Sequence, residues 1–246
     1  MKAVDVVVDS LFNNTNFTKQ LLKLNIMITV HHLSEQNSVM NNFMKELRSS
    51  EIQQDSMRFR RNIERVGEIM AYEISKTLSY ATEAVRTPLG VAPTNVVNDH
   101  IVVASIMRAA LPLHHGMLNY FDKAENAFIS AYREYTDAAH NNFRVHVEYL
   151  ASPSIEGKTV LLCDPMLATG GSMELAYEAL KAKGMPAHIH IASIIASRQA
   201  VKHILEIFPA DKTTVWIAAI DDELNEHSYI VPGLGDAGDL AFGEKL

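Results

Sequence analysis

The sequence predicts an α/β protein, a mainly parallel sheet flanked by helices on both faces with a helical arm ahead of it. Three observations carry that expectation. After Thr87-Pro88-Leu89-Gly90, short β-branched runs, apolar on both faces, recur; helical stretches separate them; and two amphipathic helices come first. The runs are Ile101–Ile106, Phe128–Tyr132, Val145–Tyr149, Thr159–Cys163, Ile189–Ile195 and Thr214–Ile220. Helical patterns fall at Pro112–Tyr120, Met173–Ala182 and Ala200–Phe208. In the arm, Glu35–Leu47 sets Val39, Met40, Phe43, Met44 and Leu47 at helical spacing. Asp55 or Ser56 then caps a longer helix whose apolar face is Ile63, Val66, Ile69, Met70, Ile74 and Leu78. Residues 1–33 read as an extension without clear pattern, and residues 34–246 as one domain.

Composition narrows the function classes. The 246 residues are 48% hydrophobic and 21% charged, enough for a core that needs no metal or disulfide staple. Lys plus Arg number 22 against 29 for Asp plus Glu, a net charge of −7, which argues against a nucleic-acid partner. A small phosphate ligand stays open, because backbone N–H groups and a few arginines can hold one. Cys163 is the only cysteine, so a disulfide framework is excluded and a reducing, cytoplasmic setting is expected. The apolar stretch Leu21–Val30 is broken by Lys23 and Asn25, and Asp5 and Asp9 interrupt Val4–Val8. Neither a membrane span nor a secretory signal is expected.

Two glycine motifs are decoys. Gly157-Lys158-Thr159 ends like a nucleotide phosphate loop but precedes a strand instead of following one, and Ser152 stands where the first glycine belongs. Gly233-Leu234-Gly235-Asp236-Ala237-Gly238 matches a dinucleotide fingerprint by letter, yet too little chain follows for the required helix and second strand. His188 and His190 share one face of a strand without a third ligand in register, and Asp221-Asp222-Glu223 reads as a solvated turn.

Chemistry is expected at Val160–Ser172. A buried strand ends in Asp164, and Thr169-Gly170-Gly171-Ser172 opens a helix that Gly184 can terminate. Glycines let the backbone approach an anion, while the first helical N–H groups and the helix dipole hold phosphate. Asp164, at the strand end, could accept from sugar hydroxyls. A diol acceptor beside a monophosphate cradle suggests a ribose 5-phosphate.

These residues carry a resemblance. Asp164-Pro165-Met166-Leu167-Ala168-Thr169-Gly170-Gly171-Ser172 resembles the phosphoribosyl-diphosphate loop of uracil phosphoribosyltransferases, type I phosphoribosyltransferases with proline where others carry a second acid. Tyr229–Asp239 resembles the family's uracil-binding segment, Ile106–Ala110 its diphosphate loop and Ala131-Tyr132-Arg133 its arginine-bearing strand end. The resemblance implies a C-terminal base-binding hood, and an enzyme that joins uracil to 5-phosphoribosyl diphosphate to give UMP and diphosphate. It implies Arg108 and Arg133 as diphosphate clamps, Asp164 through Ser172 with Asp236 around the phosphoribosyl group, and Ile230, Gly235, Asp236 and Ala237 around uracil. It further implies Mg²⁺ carried by the substrate diphosphate rather than by side chains, a homo-oligomer (dimer or tetramer) and GTP as an activator. Two positions depart from the family: Leu240 where arginine is usual, and Ala110 where glycine is usual. Ala110 would hinder the loop if it had to adopt a positive φ. A catalytically weakened paralogue, acting as a nucleotide-sensing regulator, is the alternative those departures leave open.

Overall fold

The computed structural model describes residues 28–135 and 143–244. Its centre is an eight-stranded sheet. Seven strands run in the order β1 (Thr29–His32), β10 (Thr213–Asp221), β9 (His188–Ser197), β7 (Thr159–Cys163), β4 (Ile101–Ile106), β5 (Glu125–Tyr135) and β6 (Phe143–Ala151), and short β8 (Met166–Leu167) pairs with β9. All neighbours are parallel except β5 and β6.

Alternation within the strands assigns the two faces. Ile101, Val103, Leu161 and Cys163 point to one apolar cluster, with α1 (Met40–Arg48), α2 (Ser56–Ser75) and α3 (Leu111–Leu118) over it. Val102, Ala104, Val160 and Leu162 point to the other, under α4 (Gly171–Lys181) and α5 (Arg198–Ile207). A strand buried on both sides has no polar face to show, which is why these runs are uniformly apolar. The α2 helix starts where expected, with the Asp55 carboxylate accepting from the Arg58 N–H at 3.0 Å.

Two expectations at the arm change. Thr29–His32 belong to the sheet, paired residue for residue with Thr214–Ile217, so the domain begins before residue 34; the remainder of the extension, residues 1–27, lies outside the described residues. The helical pattern at Glu35–Leu47 becomes a 3₁₀ turn at Leu33–Glu35 followed by a helix only from Met40.

The hairpin β2 (Tyr80–Thr87) and β3 (Gly90–Val97) was not anticipated. It pairs with itself alone and is largely exposed, with Leu89 at its tip. At the other end of the chain, β11 (Glu223–Leu224), β12 (Ile230–Val231) and α6 (Ala237–Phe242) form the hood; Ile230, Leu234, Ala237 and Ala241 pack into the α1–α3 cluster. No helix among the described residues is long and apolar enough to cross a membrane.

Candidate active site

The carboxyl ends of β4 and β7 lie side by side, at the edge of the sheet where ligands of open parallel sheets bind. The strand β7 delivers Asp164, 8% exposed. Burial pushes its carboxyl up to about 7, against a weak opposing hydrogen bond from the Met166 N–H at 3.3 Å. The chain then pairs briefly with β9 as β8 and turns into α4.

Gly170 is the N-cap of α4 at φ +84°, and a β-carbon there would lie 2.9 Å from His203 Cδ2. Only glycine fits both the left-handed backbone and the wall of α5 behind it. Ser172 is therefore a residue of the helix and not its cap; the Thr169 hydroxyl accepts from the Gly171 N–H at 3.4 Å. The loop is braced underneath, where the Ser197 hydroxyl donates to the Ala168 carbonyl at 2.5 Å. Asp164, Met166–Gly170 and Gly171–Met173 line a pocket of about 70 Å³.

The loop after β4 supplies Arg108. Met107 N–H donates to the Ile129 carbonyl at 2.8 Å, and the Met107–Arg108 peptide is cis. Ala110 has φ −76° and ψ −9°, ordinary helical geometry, so its side chain meets no backbone obstacle. The Arg108 guanidinium donates to Asp239 at 2.9 Å and to the Gly243 carbonyl. Arg133 lies near the end of β5, four residues past the Ile129 that pairs with Ile106; its side chain is outside the described residues.

The hood closes over both loops. Ala237 N–H faces Met166 Sδ at 3.3 Å, and the Asp236 carboxylate caps α6 by accepting from the Asp239 N–H at 2.9 Å. Gly235 stands at φ +85° with Leu240 beside it, so the departure at position 240 places an apolar side chain against the collar. Ile230 is buried, while Tyr229 and Val231 are exposed.

The decoys resolve simply. Gly157 is a turn at φ +67° before β7. His190 Nδ1 accepts from the Trp216 indole N–H at 3.1 Å and His188 Nε2 shares a hydrogen with Thr214 at 2.9 Å; among the described residues nothing groups three metal-ligating side chains. Cys163 is buried beside Asp164, and burial together with that charge pushes its thiol up, out of reach of a neutral-pH thiolate. Asp221 corrects an expectation: it is buried and paired with Arg48, not solvated. The sign in the sequence was an acid closing an apolar strand, the same sign that marked Asp164.

The uracil phosphoribosyltransferase pattern matches residues 34–244 of this chain. The chain belongs to the uracil phosphoribosyltransferase family. A relative from Porphyromonas gingivalis named uracil phosphoribosyltransferase is 62% identical over 217 residues, 88% of this chain and 99% of that one. Another of that name from Methanothermobacter thermautotrophicus is 40% identical over 191 residues, 77% of this chain and 85% of its own. Among solved structures, the AQ2163 protein from Aquifex aeolicus superposes with a TM-score of 0.75 at 28% identity, covering 87% of this chain and 98% of that chain. The family match spans the β4 loop, the β7 loop and the hood alike.

Proposed function

We propose that the chain transfers the phosphoribosyl group of 5-phosphoribosyl diphosphate to N1 of uracil, giving UMP and diphosphate. The observation that carries the reading is the meeting of three loops: the glycine turn into α4, the Arg108 loop and the hood. The first is a phosphate cradle, the second a cationic clamp, the third a backbone surface.

In this reading the 5-phosphate sits on the N–H groups of Thr169 through Ser172, favoured by the α4 dipole. Asp164, ionised when substrate is bound, accepts from the ribose hydroxyls, with Pro165 to Ala168 shaping the floor. Arg108 exchanges Asp239 for the diphosphate, and Arg133 approaches from β5. The C1′–O bond breaks with its electron pair leaving on diphosphate, and the C1′–N1 bond forms. The N1 proton passes to water or the leaving group. The ring becomes cationic in between, so positioned charge is the main catalytic device.

Mg²⁺ fits this reading as a companion of the substrate, carried by the diphosphate oxygens and water and not by a side-chain cluster, a kind of site it commonly takes. When bound, it would offset the charge on the leaving group. Uracil's O2, N3–H and O4 meet the backbone of Ile230, Gly235, Asp236 and Ala237, where small residues leave the peptide groups accessible. A homo-oligomer, dimer or tetramer, agrees with the exposed Val85, Leu89 and Val91 of the lone hairpin. GTP activation and a cytoplasmic location complete the proposal on the family pattern. The regulatory alternative loses its main support with the unstrained Ala110.

Purified protein with uracil, 5-phosphoribosyl diphosphate and Mg²⁺ should form UMP, faster if GTP activates. Arg108→Gln should raise the KM for 5-phosphoribosyl diphosphate by about tenfold or more, the loss of one charged hydrogen-bonding pair. No UMP from the wild type would overturn the proposal.

A further inference from the structure

An ion pair that takes no part in the proposed chemistry holds the hood at one residue. Asp221 ends β10, and its two carboxylate oxygens accept from the two terminal nitrogens of Arg48, the last residue of α1, at 2.8 Å each. The same carboxylate accepts from the Gly233 N–H at 2.8 Å, and Arg48 donates to the Gly233 carbonyl at 3.0 Å. Both backbone polar groups of Gly233 are thus gripped by one pair of side chains. Burial alone would push the Asp221 carboxyl up; Arg48 and the Gly233 N–H outweigh it and hold it below the usual carboxylate range.

The site of the grip matters. Gly233 comes three residues after Ile230 and two before Gly235, between the positions that face uracil in the reading above. Its φ is +61°, and a β-carbon there would lie 2.0 Å from the Ile230 carbonyl oxygen, so the turn is closed on itself. Next along the chain, the Leu234 carbonyl accepts from the Gln53 side-chain amide at 2.9 Å, with the amide turned so that it also reaches the Leu47 carbonyl at 3.0 Å. The phosphoribosyl loop has its own supports in β9 and α5, and among the described residues Arg48 and Asp221 make no hydrogen bond to it. A buried ion pair contributes little net stability compared with apolar packing. What it supplies is fixed geometry, because the planar guanidinium and carboxylate accept only one arrangement of the peptide between them.

We propose that Arg48 and Asp221 are positioning residues that set the uracil collar, and that they govern uracil recognition separately from phosphoribosyl-diphosphate binding. The inference rests on the uracil reading of the hood. Lysine at position 48 keeps the charge but not the bidentate fork, methionine keeps only bulk, and Asp221→Asn keeps shape without charge.

The test compares steady-state kinetics for both substrates, with thermal midpoints, in R48K, R48M, D221N and the control R58Q, which breaks the α1–α2 pair Arg58–Glu46 away from the hood. The expected KM for uracil rises about tenfold in R48K, and further in R48M and D221N, as expected for lost charged hydrogen bonds. The KM for 5-phosphoribosyl diphosphate should stay within about twofold in R48K, and R58Q should match the wild type. An unchanged KM for uracil in R48K, R48M and D221N overturns the inference. So does a parallel loss in both KM values and kcat that tracks a falling thermal midpoint, since that marks a purely structural pair. Wild-type protein that makes no UMP overturns the reading of the site and this inference with it; active wild type with unresponsive variants overturns the inference alone.

Discussion

Asp164, proposed above to bind the sugar, shows what such a role costs the protein. Its carboxyl ends an apolar strand with one backbone donor at 3.3 Å, and burial pushes it up to about 7 from an ordinary 3.8. The native state thus holds the proton more tightly than the unfolded chain. The stability this group contributes is full below about pH 4, falls as pH rises towards 7, and is lost above that. Asp164→Asn removes that dependence, so the thermal midpoint of the variant should gain on the wild type between about pH 4 and about pH 8. Turnover should fall severely in the same variant. In the wild type, kcat/KM for 5-phosphoribosyl diphosphate should climb through an inflection near 7, because in the proposed site the ionised form is the one that accepts the ribose hydroxyls. A pH profile without that inflection would remove Asp164 from sugar binding. At Gly170, alanine meets both a left-handed backbone and the His203 ring; Gly170→Ala should weaken binding of 5-phosphoribosyl diphosphate with little change in uracil affinity at saturating co-substrate, read by separate KM values.

Among the elements, the crossing of α2 and α3 sets where the Arg108 loop emerges. The two helices meet at glycines: a β-carbon on Gly116 would fall 2.2 Å from the Glu64 carbonyl oxygen and 3.0 Å from Gly67 Cα. Glycine to alanine inside a helix ordinarily stabilises by about 1 kcal/mol. Here overpacking reverses the sign, and Gly116→Ala should destabilise by about 2–3 kcal/mol in denaturant unfolding. A stabilised variant would show that the helices can part without penalty. Elements with a buried apolar period were legible from sequence: β4 and β7 appear with the bounds expected, as does the start of α2. The hairpin β2–β3 was not, because almost none of its residues is buried and its pattern carries no core signal. The strand β1 reads as polar in His31 and His32, and what holds them comes from β10: the Trp216 ring stacks on His31 at 3.9 Å, and His32 Nε2 accepts from the Ile220 N–H at 3.3 Å. Such a partner, far along the chain, leaves no local trace.

The whole molecule divides its site between a rigid sheet and a hood tied down by long-range contacts. The proposed phosphate loop was legible as one piece because strand end, acid and glycine turn are consecutive, and Asp164 and Thr169–Ser172 do line one pocket. The hood's segment was legible only through resemblance; for its fastening the sequence marks Asp221 as an acid closing an apolar strand, but not its partner, since Arg48 lies 173 residues away. Arg133 keeps its place on β5 as a proposed clamp. A backbone collar that meets O4 with a donor leaves that donor buried and unpaired opposite the amino group of cytosine, so discrimination should be steep. The measurement that bears most directly on this account is product formation from 5-phosphoribosyl diphosphate with Mg²⁺ and uracil, cytosine, orotate or hypoxanthine offered one at a time. The account predicts UMP from uracil and negligible nucleotide from the other three. A nucleotide formed from hypoxanthine or orotate in preference to uracil would contradict it.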